Sequence, residues 1–402
     1  MGIATRAPIE SEATARVLMP FGHSYTLPAE AYTSDDVFAW EKGRFFEDSW
    51  VCAGRGGDLA QPGDVRAVDI GSESVLLVRE EGGALNGFFN VCRHRGHQLV
   101  EPGESINTRV IRCPYHAWCY GLDGRLRGAP RFSDRPGFDR GDHPLIGVRV
   151  AEWHGWIFVN VSGTAPEFDV HVGNLDEFVR QHEPERLARA VRHDYVIDAN
   201  WKIITENYHE CYHCPQIHPE LCQVSPPDSG YNMEPTGAWA GGTMELMAHA
   251  DTMSLTGASE GVVLRSLDDR RRREVLYFGL FPNLLISLHP DYVMTHRILP
   301  LEPGRSFVEC EWLFPPEAVE SPGFDPSYAS DFWDITNKQD WGACESVQRG
   351  AASRGYRQGP LASAEDAVYQ FISMVARGYT GELPPRPALR SALGDVGAEQ
   401  AS

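Results

Sequence analysis

Two short pairs of residues stand out by type and spacing. Cys92-Arg93-His94 is followed, after eighteen residues, by Cys113-Pro114-Tyr115-His116. Each half mixes one thiol with one imidazole, as C-x-H and C-x-x-H. Two thiolates and two neutral imidazoles suit a [2Fe–2S] cluster with cysteines on one iron and histidines on the other, the Rieske arrangement, whose imidazoles raise the potential above that of all-cysteine clusters. Gly96 follows the first pair, and Gly121, Asp123 and Gly124 follow the second, as two hairpin tips clamping one cluster require. A tetrahedral Cys2His2 zinc site uses the same four ligands. Zinc fingers usually place both cysteines on one knuckle and both histidines on a helix, which is not the distribution here. Cys119 and Cys52 lie outside the pattern and read as small buried residues.

A second group lies within Glu206-Asn207-Tyr208-His209-Glu210-Cys211-Tyr212-His213-Cys214-Pro215-Gln216-Ile217-His218. One reading takes His213 and His218 as metal ligands, with Glu210 three residues before His213 and on the same helical face. Five residues is a poor helical repeat, so the two imidazoles converge only if the helix ends between them, where Pro215 and Pro219 can stop it. A distant carboxylate would complete a 2-His-1-carboxylate triad, leaving positions where O2 and substrate meet ferrous iron. Asp331, Asp334, Asp340 and Glu345 are the candidates. Asp340, beside Trp341 and near Trp333, is favoured, with Asp334 the fallback. The competing reading is His209-Glu210-x-x-His213, the zinc-protease motif with glutamate as general base. A protease has no use for an electron-carrying cluster, so the triad is preferred and His209 becomes a packing residue. A third reading, a Rieske electron carrier with an inert second site, would leave this helix idle.

The elements that must hold these residues can be read from periodicity. Residues 28–48 read as an N-terminal helix with Ser34 as N-cap. From about Val51 to Val161 the segments are short and alternating, with a hairpin from Ser74–Arg79 through Glu81-Gly82-Gly83 to Leu85–Val91, which makes this stretch a small all-β domain. Ser162 to Pro166 reads as a linker. Beyond it, Asn200 to Cys214 reads as a helix stopping at Pro215, then a loop runs from Ser225 to Gly242. Glu274–Leu288, Tyr292–Leu299 and Phe307–Phe314 alternate like an antiparallel sheet. A long helix opens at Asp325-Pro326, and a last one, Ala364–Arg377, stops at Gly378. The fold class is thus α+β. The expected domains are an N-terminal helical segment, 1–48, that packs on the last domain, a small all-β domain, 49–162, and a larger α+β domain, 163–402, with a poorly ordered tail from about residue 384.

Composition narrows the function. Asp and Glu outnumber Lys and Arg by 56 to 36, a formal net charge of −20, which repels phosphate backbones and anionic lipid alike. Nucleic acid and membrane partners are not expected, and a basic protein or cationic ligand is favoured. The N-terminus has no signal-peptide pattern, and no apolar run reaches membrane-spanning length, so a cytoplasmic location is expected. Nine cysteines is an odd count for a disulfide framework.

Together the quoted motifs resemble the α (oxygenase) subunits of Rieske non-haem iron oxygenases, whose patterns are C-x-H, C-x-x-H and acid-x-x-H-x4-H, over most of the chain. The resemblance implies a Rieske domain joined to a helix-grip (START-like) catalytic domain with an antiparallel sheet. It places Asp340 at the carboxylate ligand and Glu210 at the acid that bridges a neighbouring subunit's Rieske histidine to an iron-binding histidine. Many ring-hydroxylating members carry Asp there. Glu210, within Glu-Cys-Tyr-His-Cys and followed by His218-Pro219, looks more like the branch acting on quaternary ammonium compounds such as carnitine and glycine betaine. In that architecture the two metals of one chain are too far apart, so a head-to-tail homotrimer is implied, His116 of one subunit facing Glu210 of the next. No G-x-G-x-x-G opens a βαβ unit, so NAD(P)H would act only through a separate flavin or iron–sulfur reductase. The expected reaction is O2-dependent hydroxylation of a small molecule, on an N-methyl group an N-demethylation. Tyr231, Trp239, Tyr277 and Phe278 could offer a cation aromatic faces, and a small aromatic substrate is the alternative.

Overall fold

A computed structural model describes residues 4–382 and 386–387. Apart from Arg386 and Pro387, the tail expected from about residue 384 lies outside the described residues. The chain divides into two compact units, one of Lys42–Ala165 and one of Met1–Glu41 with Pro166–Ser402. Among the described residues no helix is long and apolar enough to cross a membrane.

The Lys42–Ala165 unit is built on strands rich in Val, Leu, Ile and Phe. Seven of them form an antiparallel sheet in the order Val51–Arg55, Trp156–Asn160, Gly147–Trp153, Leu85–Phe89, Glu73–Arg79, Asp64–Ile70 and Ser105–Asn107. Glu73–Arg79 and Leu85–Phe89 pair from Val75↔Phe89 to Arg79↔Leu85, and Gly83 turns the hairpin at φ +85°. A three-stranded sheet of Ile111–Arg112, Cys119–Tyr120 and Leu126–Gly128 carries the second Cys/His pair. Leu76, Val78, Phe88, Trp118 and Tyr120 form one apolar cluster with Cys92 and Cys113.

The other unit holds a seven-stranded antiparallel sheet in the order Ala188–Ile197, Arg305–Phe314, Val293–Glu302, Leu284–Leu288, Glu274–Leu280, Trp239–Glu245 and Tyr231–Asn232. The last two strands come from the stretch read as a loop. Short, Gly-rich Trp-Ala-Gly-Gly-Thr-Met-Glu pairs in full with Glu274–Leu280, because Gly241 and Gly242 sit where a Cβ would strike the neighbouring backbone at 2.0 and 2.1 Å. The long helix spans Ser327–Ala351. The last helix runs Asp366–Thr380, past Gly378, to Gly381 in the left-handed conformation. The single helix expected over 28–48 is broken: Ala29–Thr33 ends before Ser34, whose Oγ then accepts the Val37 N–H at 3.3 Å to open Asp35–Glu41. Lys42–Glu47 is a π-helix of the other unit. At the end of Asp35–Glu41, the buried Glu41 carboxylate takes hydrogen bonds from Lys202 Nζ (2.7 and 2.9 Å), Trp201 Nε1 (2.9 Å) and the Tyr379 hydroxyl. Those contacts hold the N-terminal segment to the helix that leads into the second constellation.

Candidate metal centres and substrate cavity

The two Cys/His loops are built alike. Cys92 N–H donates to His97 O (2.9 Å) and Gly96 N–H to Cys92 O (3.0 Å); Cys113 N–H donates to Trp118 O (2.8 Å) and Ala117 N–H to Cys113 O (3.1 Å). The fourth residue after each cysteine is left-handed, Gly96 at φ +74° and Ala117 at φ +57°. Both thiols are 2% exposed, and the His94 and His116 rings lie 4.7 Å apart. The Nδ1 atoms of both histidines are buried with no hydrogen-bond partner. A buried imidazole nitrogen left without a partner is costly, so two of them beside two buried thiols fit a metal cluster as the missing partner. Trp118 stacks on His94 at 5.0 Å and 8°, and the Tyr120 hydroxyl lies 3.3 Å from Cys92 Sγ while accepting the Arg93 N–H at 3.0 Å.

In the other unit, the helix expected to reach Cys214 stops at Tyr208. Asn200 caps its start, accepting the Lys202 N–H at 3.0 Å. From His209 to His213 the chain is irregular, and Pro215 and Pro219 open short helices, Cys214–Ile217 and Pro219–Val224, instead of closing a long one. Glu210 and His213 therefore share no helical face. They meet because Glu210 folds back, its Oε2 accepting the His213 N–H (3.0 Å) and its Oε1 accepting from His213 Nδ1 (2.5 Å). A disulfide, Cys211–Cys214, closes this loop; the sequence reading had no disulfide, and the C-x-x-C spacing was its signal.

His213, His218 and Asp340 offer ligand atoms within 4.8 Å of one another. His218 Nε2 is 2.9 Å from Asp340 Oδ1 and 3.1 Å from His213 Nε2, and His213 Nε2 is 3.4 Å from Asp340 Oδ1. Burial opposes ionisation of Asp340, but hydrogen bonds from the two histidines outweigh it and hold its carboxyl below the usual range. The donor set, two imidazoles and one carboxylate, fits ferrous iron. Asp334 instead receives Tyr195 Oη (2.8 Å) and Lys338 Nζ (2.5 Å), and Asp331 is exposed. The His209-Glu210-x-x-His213 reading loses its geometry, since the two histidines are not one helical turn apart. His209 Nδ1 donates to Thr205 O at 2.6 Å, its ring stacks on Phe371 at 5.7 Å and 4°, and burial lowers its pKa to about 4.

A cavity of about 900 Å³ ends on this group. Of the four aromatics expected in its wall, Tyr231 and Tyr277 line it, and Trp239 and Phe278 do not. Tyr277 and Phe278 are consecutive in a strand and point to opposite faces; Trp239 and Phe278 pack on each other at 5.4 Å on the far side. Tyr208, Trp333 and Thr243 line the cavity and were missed, since only the register of the sheet and the turn of the long helix bring them there. Glu210, Asp228, Asp340 and Asp366 also line it, with no Lys or Arg among its described residues.

Comparison with known proteins accounts for both units. Residues 49–139 match the Rieske [2Fe-2S] domain, and residues 184–381 match the catalytic domain of the ring hydroxylating alpha subunit. The chain is 32% identical over 391 residues to the glycine betaine monooxygenase oxygenase subunit of Chromohalobacter salexigens, covering 90% of this chain and 87% of that protein. It is 31% identical over 338 residues to the carnitine monooxygenase oxygenase subunit of Escherichia coli K12, covering 83% and 86%. A solved structure of the quaternary ammonium Rieske monooxygenase CntA with L-carnitine superposes with a TM-score of 0.75 at 26% identity, over 92% of this chain and 99% of that one. With a cluster-type fold in one unit, an iron-type donor set in the other, and relatives that span nearly the whole chain, this protein belongs to the Rieske non-haem iron oxygenases, as an oxygenase subunit.

Proposed function

We propose that this chain is the terminal oxygenase of a multicomponent system that hydroxylates an N-methyl group of a small ammonium compound, using O2 and electrons from a separate reductase. The observation that carries the reading is the cavity that ends on His213, His218 and Asp340 and whose charged walls are carboxylates. Such walls attract a cation, and the rings of Tyr208, Tyr277 and Trp333, which line the cavity, would add cation–π attraction of roughly 0.5–2 kcal/mol wherever a face meets the desolvated cation. The relatives named for glycine betaine and carnitine support the same substrate class. When bound, the cluster held by Cys92, His94, Cys113 and His116 would supply single electrons, and ferrous iron held by His213, His218 and Asp340 an O2-reactive centre with positions to spare.

The chain's own residues set the conditions. Glu210 accepts the proton side of His213 Nδ1 and so turns Nε2 toward Asp340 and His218. In a head-to-tail homotrimer the same carboxylate would also receive His116 of a neighbouring subunit, joining the two centres through one side chain. Hydroxylation of an N-methyl carbon gives an N-hydroxymethyl product, which collapses to formaldehyde and the demethylated amine. In assays with a reductase and NADH, N-methylammonium substrates should drive O2 uptake with matching formaldehyde release, and His218→Ala should abolish both while leaving the cluster's visible spectrum intact. Preference for a small aromatic substrate without formaldehyde would transfer the protein to ring hydroxylation. An active His218→Ala variant would break the site assignment.

A further inference from the structure

We infer that Gln339 and Glu220 are positioning residues that decide which nitrogen of His218 faces the metal centre. This rests on reading His213, His218 and Asp340 as the iron ligands. Gln339 and Asp340 are consecutive on the long helix, and between them they take both edges of one imidazole. Asp340 Oδ1 lies 2.9 Å from Nε2, and Gln339 Oε1 lies 2.7 Å from Nδ1. Gln339 Nε2 in turn donates to Glu220 Oε2 at 3.2 Å.

The chain of three groups has one self-consistent protonation pattern. A carboxylate accepts and does not donate, so Glu220 must take the amide N–H of Gln339. The amide oxygen is then the end that meets His218. An oxygen acceptor requires hydrogen on Nδ1, and a neutral imidazole with hydrogen on Nδ1 carries its lone pair on Nε2. Nε2 is the atom that points at Asp340 and His213 Nε2. His218 is 1% exposed, so bulk water cannot take over the amide's place. Were the amide turned over, its N–H would call for the other tautomer, with hydrogen on Nε2, and its oxygen would face the Glu220 carboxylate, a repulsion in place of a hydrogen bond. Glu220 blocks that state. It can do so because it sits in the first turn of Pro219–Val224, two residues after the histidine it governs.

His213 reaches the same tautomer differently, through the Glu210 carboxylate. The two imidazoles thus have unlike partners, one anionic and one neutral. The carboxylate on His213 is left as the charged acceptor on the imidazole pair, and the amide on His218 fixes orientation without adding a second buried charge beside Asp340.

The test is metal affinity of the cluster-loaded protein, stripped of mononuclear metal and titrated with Fe(II) by competition and with Co(II) by its ligand-field absorption. Gln339→Leu should weaken both metals by roughly 10–100-fold, the usual effect of losing such a partner, with cluster absorbance and thermal unfolding retained. Gln339→Glu should also weaken binding, because its carboxylate would face Glu220. Adding Glu220→Gln to it should recover most of the affinity and the wild-type Co(II) spectrum, since the donor and acceptor ends are then exchanged. Unchanged affinity in Gln339→Leu would overturn the proposal, as would a double variant no tighter than Gln339→Glu, which decides the matter even if Gln339→Leu fails to fold. Full metal binding by His218→Ala would instead strike the ligand assignment beneath it.

Discussion

Near the centre, the residue with no side chain decides where the larger ones sit. A Cβ on Gly279 would lie 2.4 Å from Cε1 and 2.6 Å from Nε2 of His209, a ring already pinned between Thr205 and Phe371. Gly279→Ala must therefore push His209 and, through the next peptide, Glu210. We expect a loss of about 1–3 kcal/mol, the usual range for overpacking a closed core, seen as a lower Tm, together with weaker mononuclear metal binding. A variant with unchanged Tm and unchanged metal content would show that the loop can yield at no cost. Nothing in the sequence singles out Gly279, because its role depends on a contact across the sheet. The ligand candidates stood out for the opposite reason: few residue types bind iron, and the Cys/His pairs, His213 and His218 could be picked by type and spacing, whereas Asp340 was one of four acids, preferred for its neighbours Trp341 and Trp333 and by the family resemblance. Gln339, by contrast, looks like any polar residue on a helix until its neighbours are known.

Among the elements, the short helix Trp201–Tyr208 has the most to position and the least length to do it. It is two turns long, too short to persist without help, and Asn200 is its anchor. The Asn200 side chain accepts the Lys202 N–H and donates to Pro303 O at 2.6 Å, while its own N–H goes to Gln348 Oε1 at 2.9 Å. Asn200→Ala removes the cap and the hydrogen bond to Pro303 O. A loss of about 1–2 kcal/mol is expected, measured by denaturant unfolding; a change below a few tenths would mean that packing alone holds the helix. The start of this helix at Asn200 was readable, as were the hairpin of the small unit and the core strands, whose alternation is strong. Its end was not. Nothing in Tyr208-His209-Glu210-Cys211-Tyr212 breaks a helix, and the irregular turn is set by the packing of His209 against Phe371 and by the Cys211–Cys214 closure.

For the whole molecule, one buried ion pair ties distant stretches into one unit. Lys202 and Glu41 are both fully buried, so removing one charge strands the other. Glu41→Gln should cost about 3–5 kcal/mol, the range for leaving a buried partner uncompensated, and adding Lys202→Met should recover much of it. A lowered Tm in Glu41→Gln with the cluster's visible bands retained at room temperature is the expected result; an unchanged Tm would overturn it. The overall α+β class and the boundary near residue 165 were visible in composition and punctuation. The N-terminal segment was expected to pack on the catalytic domain, but its end at Glu41 and the Lys202 contact that holds it there were not foreseen, since no local pattern records a partner 161 positions away.

That separation has a consequence during synthesis. Glu41 leaves the ribosome 161 residues before Lys202, a wait of roughly ten to thirty seconds at ordinary translation rates. In that interval the whole of Lys42–Ala165 emerges with all its own strands, its ends already joined by the Ser162 N–H to Glu47 O bond of 3.1 Å. Both cysteine loops are then complete while none of the residues that would hold the second metal has emerged. Chain order alone would thus present Cys92, His94, Cys113 and His116 to a cluster donor before His213, His218 or Asp340 could compete for iron.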